Sequence, residues 1–190
     1  MTKNGLLANN MTKKALFIVV GVVAAATLVT SLSSYSMKVI RVAKAYLGNK
    51  EIKPNKGFTS QNFTDEMKKS GWWVGAPWCM FFAKLVFLKS MTGEKLSAVK
   101  KYFTGSTIST FNNVDSGLAK PFRTSMNAKK GSIVIWEGIN DKTKGHAGIV
   151  IEVNGNNFTT IEGNWGDEVI VKKRSYSDIV NNCKLKGFIV

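Results

Sequence analysis

Acidic residues are scarce in this 190-residue chain: 12 Asp and Glu stand against 27 Lys and Arg, so the net charge is +15. Such an excess of basic residues indicates a polyanionic partner, and nucleic acid is one class of such partners. The chain has no zinc-finger spacing, no P-loop and no aromatic RNA-binding signature, so we expect no nucleic-acid partner. The lysines are spread along the whole chain, which fits a general attraction to an anionic surface or a role in solubility alone.

Internal repeats are also absent, and a hydrophobic content of 44% excludes a disordered chain. The length suits one domain with an appendage. No charged residue occurs from Ala15 to Met37, and residues 15–32 are long and apolar enough to cross a membrane as a helix. Lysines precede this run, which predicts a cytoplasmic N-terminus and an external remainder. The alternative is a cleaved signal peptide, with Ser31-Leu32-Ser33 as a weak cleavage site.

These observations predict three segments. Residues 1–14 form a basic cytoplasmic arm, residues 15–36 a transmembrane anchor or signal segment, and residues 37–190 a folded domain. The domain is expected outside the cytoplasm, either anchored to the membrane or exported.

The chain has two cysteines, and Cys79 follows a turn that ends in Pro77 and Trp78. Proline suits the first turn of a helix, because its missing N–H would have no helical partner there. Apolar side chains recur behind the cysteine at helical spacing: Phe81, Phe82, Leu85 and Val86. A helix N-terminus favours the thiolate, which is the nucleophilic form. Cys79 is therefore a candidate nucleophile, although a small buried hydrophobic residue is the alternative.

The single histidine, His146, begins an apolar, β-branched run that predicts a strand through Val153. Residues 154–157 predict a hairpin turn, and the next strand contains Glu162 and Asn164. Because side chains alternate along a strand, Glu162 and Asn164 are expected on one face, where they could lie beside His146. A cysteine, a histidine and a group that orients the histidine are the arrangement needed for thiol acyl transfer. The alternative for His146 is a hydrogen-bonded core residue.

Helical patterns precede strand patterns along the chain, which predicts an α+β class. Helices are expected over residues 36–47 and 59–70 and from about Pro77, with Cys79 in the first turn of the third. A polar, partly helical connector follows over residues 91–118. Strands of an antiparallel meander are expected over residues 132–137, 146–153, 158–164, 168–174 and 184–190.

Four short motifs resemble those of CHAP domains, the cysteine, histidine-dependent amidohydrolases and peptidases related to NlpC-type peptidases. They are Pro77-Trp78-Cys79, residues 131–136, residues 145–150 and residues 161–164. The resemblance implies a papain-like fold that cuts amide bonds in bacterial peptidoglycan. It implies that Cys79 is the nucleophile, His146 the general base and Glu162 the group that orients His146. Asn164 would be a polar helper near the oxyanion or the histidine.

The resemblance also bears on ligands. Some family members hold calcium in an Asp-rich loop before the cysteine, but residues 70–75 contain no Asp, so we expect no metal there, and no cofactor. Tryptophans near the motifs are candidates for stacking on substrate, with core packing as the alternative: Trp72, Trp73, Trp78 and Trp165. Cys183 is expected to be a free thiol.

The sequence thus predicts a thiol hydrolase of peptidoglycan, an endopeptidase or an N-acetylmuramoyl-L-alanine amidase, of the kind found among phage endolysins. The alternative is a non-catalytic wall-binding or virion structural module with the same fold. The cut bond, the wall type, the source and the oligomeric state do not follow from the sequence.

Overall fold

The computed structural model describes residues 35–52 and 56–190. The basic arm and the predicted anchor, apart from its last two residues, lie outside the described residues, so both stay predictions. Five helices occur in the described part of the chain: α1 over residues 35–44, α2 Gln61–Lys69, α3 Cys79–Ser90, α4 Gly93–Tyr102 and α5 Thr107–Asp115. Over residues 35–52 and 56–190, no helix has the length and apolar character needed to cross a membrane.

Six strands follow the helices and form one antiparallel sheet. They are β1 Thr124–Ser125, β2 Ile133–Gly138, β3 Gly145–Asn154, β4 Asn157–Trp165, β5 Glu168–Ser175 and β6 Cys183–Ile189. Their spatial order is β1-β6-β2-β3-β4-β5. The predicted α+β class is confirmed, as is the hairpin: Asn154 pairs with Asn157, and Gly155 takes the positive φ of 56° that a two-residue hairpin turn requires.

The sheet departs from the predicted simple meander at one strand. β2 to β5 follow one another in space, but β6 returns across the sheet and pairs with both β1 and β2. Local patterns specify that a segment is a strand, whereas the partner of that strand depends on contacts distant in sequence. The meander prediction was therefore wrong for the last strand.

Helix α3 packs against β3 and β4. Nine of its twelve residues are buried, which explains why the helix is apolar on all sides and not amphipathic. Contact with β4 is close at Gly163, where a Cβ atom would lie 2.6 Å from the Trp78 ring and 2.8 Å from Cβ of Phe82. Only glycine leaves enough room for this approach of helix and strand.

Candidate active site

Cys79 lies in the first turn of α3, as predicted, and is the first residue of the helix, which begins two residues after Pro77. Only 8% of its surface is exposed. The preceding residue, Trp78, forms the N-cap and is fully buried. Its indole Nε1 donates a hydrogen bond to Oε2 of Glu51, 3.0 Å away. The entry into the helix is thus fixed by a buried ring, and Cys79 is held at the edge of the core.

His146 is the second residue of β3 and is 3% exposed. Its Nε2 lies 2.9 Å from Oε2 of Glu162 on the neighbouring strand β4. The rings of Trp136 and Trp165 also pack against the imidazole, with centroids 5.7 Å and 5.8 Å from the imidazole centroid. These contacts fix the orientation of the ring and leave Nδ1 as the nitrogen that does not face Glu162.

Glu162 is completely buried and carries four hydrogen bonds. Arg174 on β5 donates two of them, from Nε to Oε1 at 2.8 Å and from Nη2 to Oε2 at 2.6 Å. The Thr160 hydroxyl donates to Oε1 at 2.6 Å, and His146 is the remaining partner. Burial alone would raise the pKa of this carboxyl, but the bonds from Arg174 and His146 outweigh burial and lower the pKa to about 2.

His146 is biased toward its charged form by the groups that face it. Burial lowers the pKa of a histidine, but the Cys79 and Glu162 side chains oppose this and raise the pKa of His146 to about 9. A hydrogen bond between the Cys79 and His146 side chains is one of the causes of this rise, so the thiol lies next to the imidazole. The structure therefore brings together the cysteine, the histidine and the carboxylate that sequence patterns singled out.

Arg174 is the charged member of this cluster that sequence reasoning missed; Thr160 is an uncharged one. Arg174 is one of three arginines in the chain, and it lies near the end of β5 with 8% of its surface exposed. Its guanidinium also lies over the ring of Trp165, 4.3 Å from the centroid. The sequence contained a signal for this role, since Arg174 is an arginine among lysines on the strand after the one that carries Glu162. Arg binds carboxylates bidentately and Lys does not, so Arg174 was a candidate partner for Glu162.

Asn164 does not follow the predicted alternation. The pairing of β4 with β5 shifts between Glu162 and Trp165, and Asn164 has a φ of 63°. The shared-face argument therefore fails at this position, since it requires regular extended backbone. Within the described part of the chain, the Asn164 side chain makes no hydrogen bond, and its role as a polar helper stays a prediction.

The four tryptophans predicted to bind substrate lie in different environments. Trp72 and Trp78 are 3% and 0% exposed, and Trp72 donates from Nε1 to the carbonyl of Ala76, so both belong to the core and cannot stack on substrate. That part of the prediction is corrected. Trp73 is 63% exposed. Trp165 is half-buried against His146 and Arg174.

An open cleft of about 880 Å³ leads to Cys79. Trp73 and Phe81 line one part of it, and residues of the loops before α5 and before β3 line another. Cys183 also lines this cleft, and both cysteines are free, so the expectation of a free Cys183 thiol is confirmed. Burial raises the pKa of Cys183, and the nearby Cys79 adds to this effect.

The chain resembles known proteins in structure and in sequence. Two crystal structures of Ly7917 resemble its fold. One has 16% identity and a TM-score of 0.44, and the other, with the hydrolyzing product of MDP, has 18% identity and a TM-score of 0.40. Each match covers 81% of this chain and 61% of the other, so the chain spans less than two thirds of Ly7917.

No curated protein matched. The family model of the CHAP domain matches residues 70–164, which make up half of the chain. This range includes Cys79, His146 and Glu162. The chain belongs to the CHAP domain family.

Proposed function

We propose that this protein hydrolyses an amide bond of bacterial peptidoglycan by a thiol mechanism. The observation that carries the proposal is the buried His146–Glu162 pair, 2.9 Å apart, with the Cys79 side chain hydrogen-bonded to His146 and open to a cleft. A structural ion pair alone would not need a thiol at a helix start beside it. Membership of the CHAP domain family supports the same assignment.

In the proposed reaction, the Cys79 sulfur attacks the carbonyl carbon of the scissile amide. His146 takes the thiol proton through Nδ1, because Nε2 faces Glu162. The tetrahedral intermediate places a negative charge on oxygen, which backbone N–H groups at the start of α3 stabilise. His146 then protonates the leaving amine, and water hydrolyses the thioester with His146 as the base.

Glu162 and Arg174 position the base and do not react. The carboxylate fixes the ring of His146 and favours the imidazolium, while Arg174 keeps Glu162 ionised in a buried site. Asn164 adds a polar group at the end of the same strand. This division of roles matches that of other catalytic triads, in which the third member orients the histidine.

The proposed cut is either within the stem peptide or cross-bridge, or at the amide that joins the sugar to L-alanine. We further propose that the protein acts outside the cytoplasm, as an exported or anchored wall hydrolase of the phage-lysin type. The net charge of +15 supports adsorption to an anionic wall. Residues 15–32 supply the proposed anchor.

The decisive experiment incubates purified walls with the wild type and with Cys79→Ala. We expect the wild type to release soluble muropeptides and Cys79→Ala, equally folded by circular dichroism, to release none. Mass spectrometry of the products then identifies the amide that is cut. Wall binding without release by the wild type would favour the non-catalytic module, and release by Cys79→Ala would exclude the thiol mechanism.

The anchor needs a separate test, because it concerns residues outside the described part of the chain. We expect full-length protein in the membrane fraction, with its original N-terminus. A mature protein that begins near residue 34 would show cleavage of a signal peptide and would exclude the anchor.

A further inference from the structure

Lys84 lines the cleft beside the proposed nucleophile. It lies on α3, five residues after Cys79, which corresponds to about 7.5 Å along the helix axis. Its ammonium group lies near Gly71 in the loop before α3, where a Cβ atom on Gly71 would be 3.9 Å from Nζ. The lysine is therefore held at the wall of the cleft and does not extend freely into solvent.

The ammonium of Lys84 has no partner in the described part of the chain. It forms no hydrogen bond or ion pair there, although the side chain is partly buried. Burial lowers the pKa of Lys84, and no neighbouring charge opposes the effect. Placing a cation in such a position costs free energy unless an anion binds beside it.

The rest of the cleft favours an anion. None of the described residues that line it is Asp or Glu. The other lining lysine, Lys144, has a different environment: its side chain is 79% exposed, and Nζ lies 3.7 Å from Oδ2 of Asp141. Lys84 is thus the less solvated and less neutralised of the two cations.

An apolar surface adjoins Lys84. The exposed ring of Trp73 meets the ring of Phe81 edge to face, with centroids 5.4 Å apart, and both residues line the cleft. A small aliphatic side chain could pack on these rings while a carboxylate reaches the ammonium. Cys79 and Lys84 line the same cleft, so the carboxylate would lie near the bond that Cys79 attacks.

We propose that Lys84 is a specificity-determining residue that binds a free carboxylate of the peptide substrate, near the scissile amide. The proposal rests on the proposed function and adds the substrate class to it. Amidation of that carboxylate removes its charge, so the amidated peptide loses the ion pair and is the poorer substrate.

The test uses one pair of muropeptides that differ only in a carboxylate or a carboxamide near the cut. We expect the wild type to cleave the free acid about tenfold more efficiently, mainly through KM, since the ion pair forms in the ground state as well. Lys84→Met should lose this preference, and Lys84→Arg should retain part of it. Lys100→Met is the matched control, because Lys100 is exposed on α4 and the charge change is the same.

Equal cleavage of both substrates by the wild type would overturn the carboxylate site and leave the proposed function intact. If the wild type cleaved neither, the proposed function would fail, and calorimetric binding of the same two muropeptides to Cys79→Ala would decide the carboxylate site alone. Tighter binding of the free acid, abolished in Cys79→Ala with Lys84→Met, would support it. Competition by inorganic phosphate as strong as by the free acid would indicate a general anion site and contradict the assignment.

Discussion

The two sides of the candidate active site are built by different kinds of interaction. On the helix side, α3 holds Cys79 through apolar packing, with nine buried residues in the helix and the N-cap ring of Trp78 in the core. On the sheet side, His146 is held by a chain of charged hydrogen bonds through Glu162 to Arg174. Shape positions the proposed nucleophile, whereas charge positions its base.

The difference predicts different responses to mutation. Apolar packing depends on side-chain volume. A substitution on the helix side should therefore change both the stability of the protein and the distance between Cys79 and His146. A buried charge network depends on ionisation, so a substitution on the sheet side should change the pH dependence of activity. Four predictions test this contrast, in order of decreasing effect on activity.

The largest effect is expected where the two sides meet, at Cys79 and His146. Cys79→Ala and His146→Ala should each lower kcat/KM by on the order of 10⁴-fold or more, and the double variant should be no worse than either, because the residues act as a unit. Wall-release kinetics of the three variants would show this. Additive losses would mean that the two residues do not share one step.

A smaller loss, about 10²-fold, is expected for Glu162→Gln, because in the proposed mechanism this residue orients the base and does not react. The wild type should lose activity as pH rises through about 9, because His146 then no longer holds the proton that it must give to the leaving amine. The substituted amide carries no charge to stabilise the imidazolium, so this alkaline limb should move to lower pH in the variant. A pH–rate profile of both proteins measures the shift.

The stability of the folded protein should also depend on pH, through the same two charged groups. The folded-state pKa of His146 is raised from 6.5 to about 9, so its stabilisation is complete below pH 6.5 and is lost as pH rises through 9. The pKa of Glu162 is lowered from 4.5 to about 2, so its stabilisation is present above pH 4.5 and is lost as pH falls through 2. Thermal melts across this range provide the control. An alkaline limb unchanged by Glu162→Gln would contradict the role of charge on the sheet side.

Gly163→Ala should lower activity about tenfold by moving the helix side away from the sheet side. The added Cβ would clash with Trp78 and Phe82, and relieving the clash should lower the free energy of unfolding by about 1–3 kcal/mol. Denaturant melts and wall-release rates measure both effects. Gly155→Ala is a useful control for the added methyl, because no atom beyond its two chain neighbours lies within 4 Å of its Cβ position, although its positive φ adds some strain. Full activity in a destabilised Gly163→Ala protein would show that Gly163 does not set the distance between the helix side and the sheet side.

The smallest effect is expected for Trp73→Ala, a few-fold rise in KM with little change in stability, because the ring is 63% exposed. The neighbouring Trp72 gives a matched comparison. Trp72→Ala should lower the free energy of unfolding by about 3–5 kcal/mol, since that ring is buried. If Trp73→Ala were the more destabilising of the two, the assignment of Trp73 to the cleft and of Trp72 to the core would be wrong.

Much of this molecule follows from local sequence. Pro77 and the apolar run after Cys79 predicted the start of α3, and β-branched residues with a Gly-Asn turn predicted the β3–β4 hairpin. These features depend on interactions within a few residues, which a linear pattern records. For the same reason the sequence placed His146 at the start of one strand and Glu162 on the next.

The tertiary structure decided what the local pattern does not record. Of the adjacent tryptophans, Trp72 is buried and Trp73 is exposed, because burial depends on what packs from elsewhere in the chain. The pairing of β6 with β2, the two hydrogen bonds from Arg174 to Glu162 and the position of Lys84 in the cleft are likewise contacts between distant segments. The sequence by itself determined which residues carry the proposed chemistry, and the tertiary structure decided what surrounds them, since packing and charge act through space.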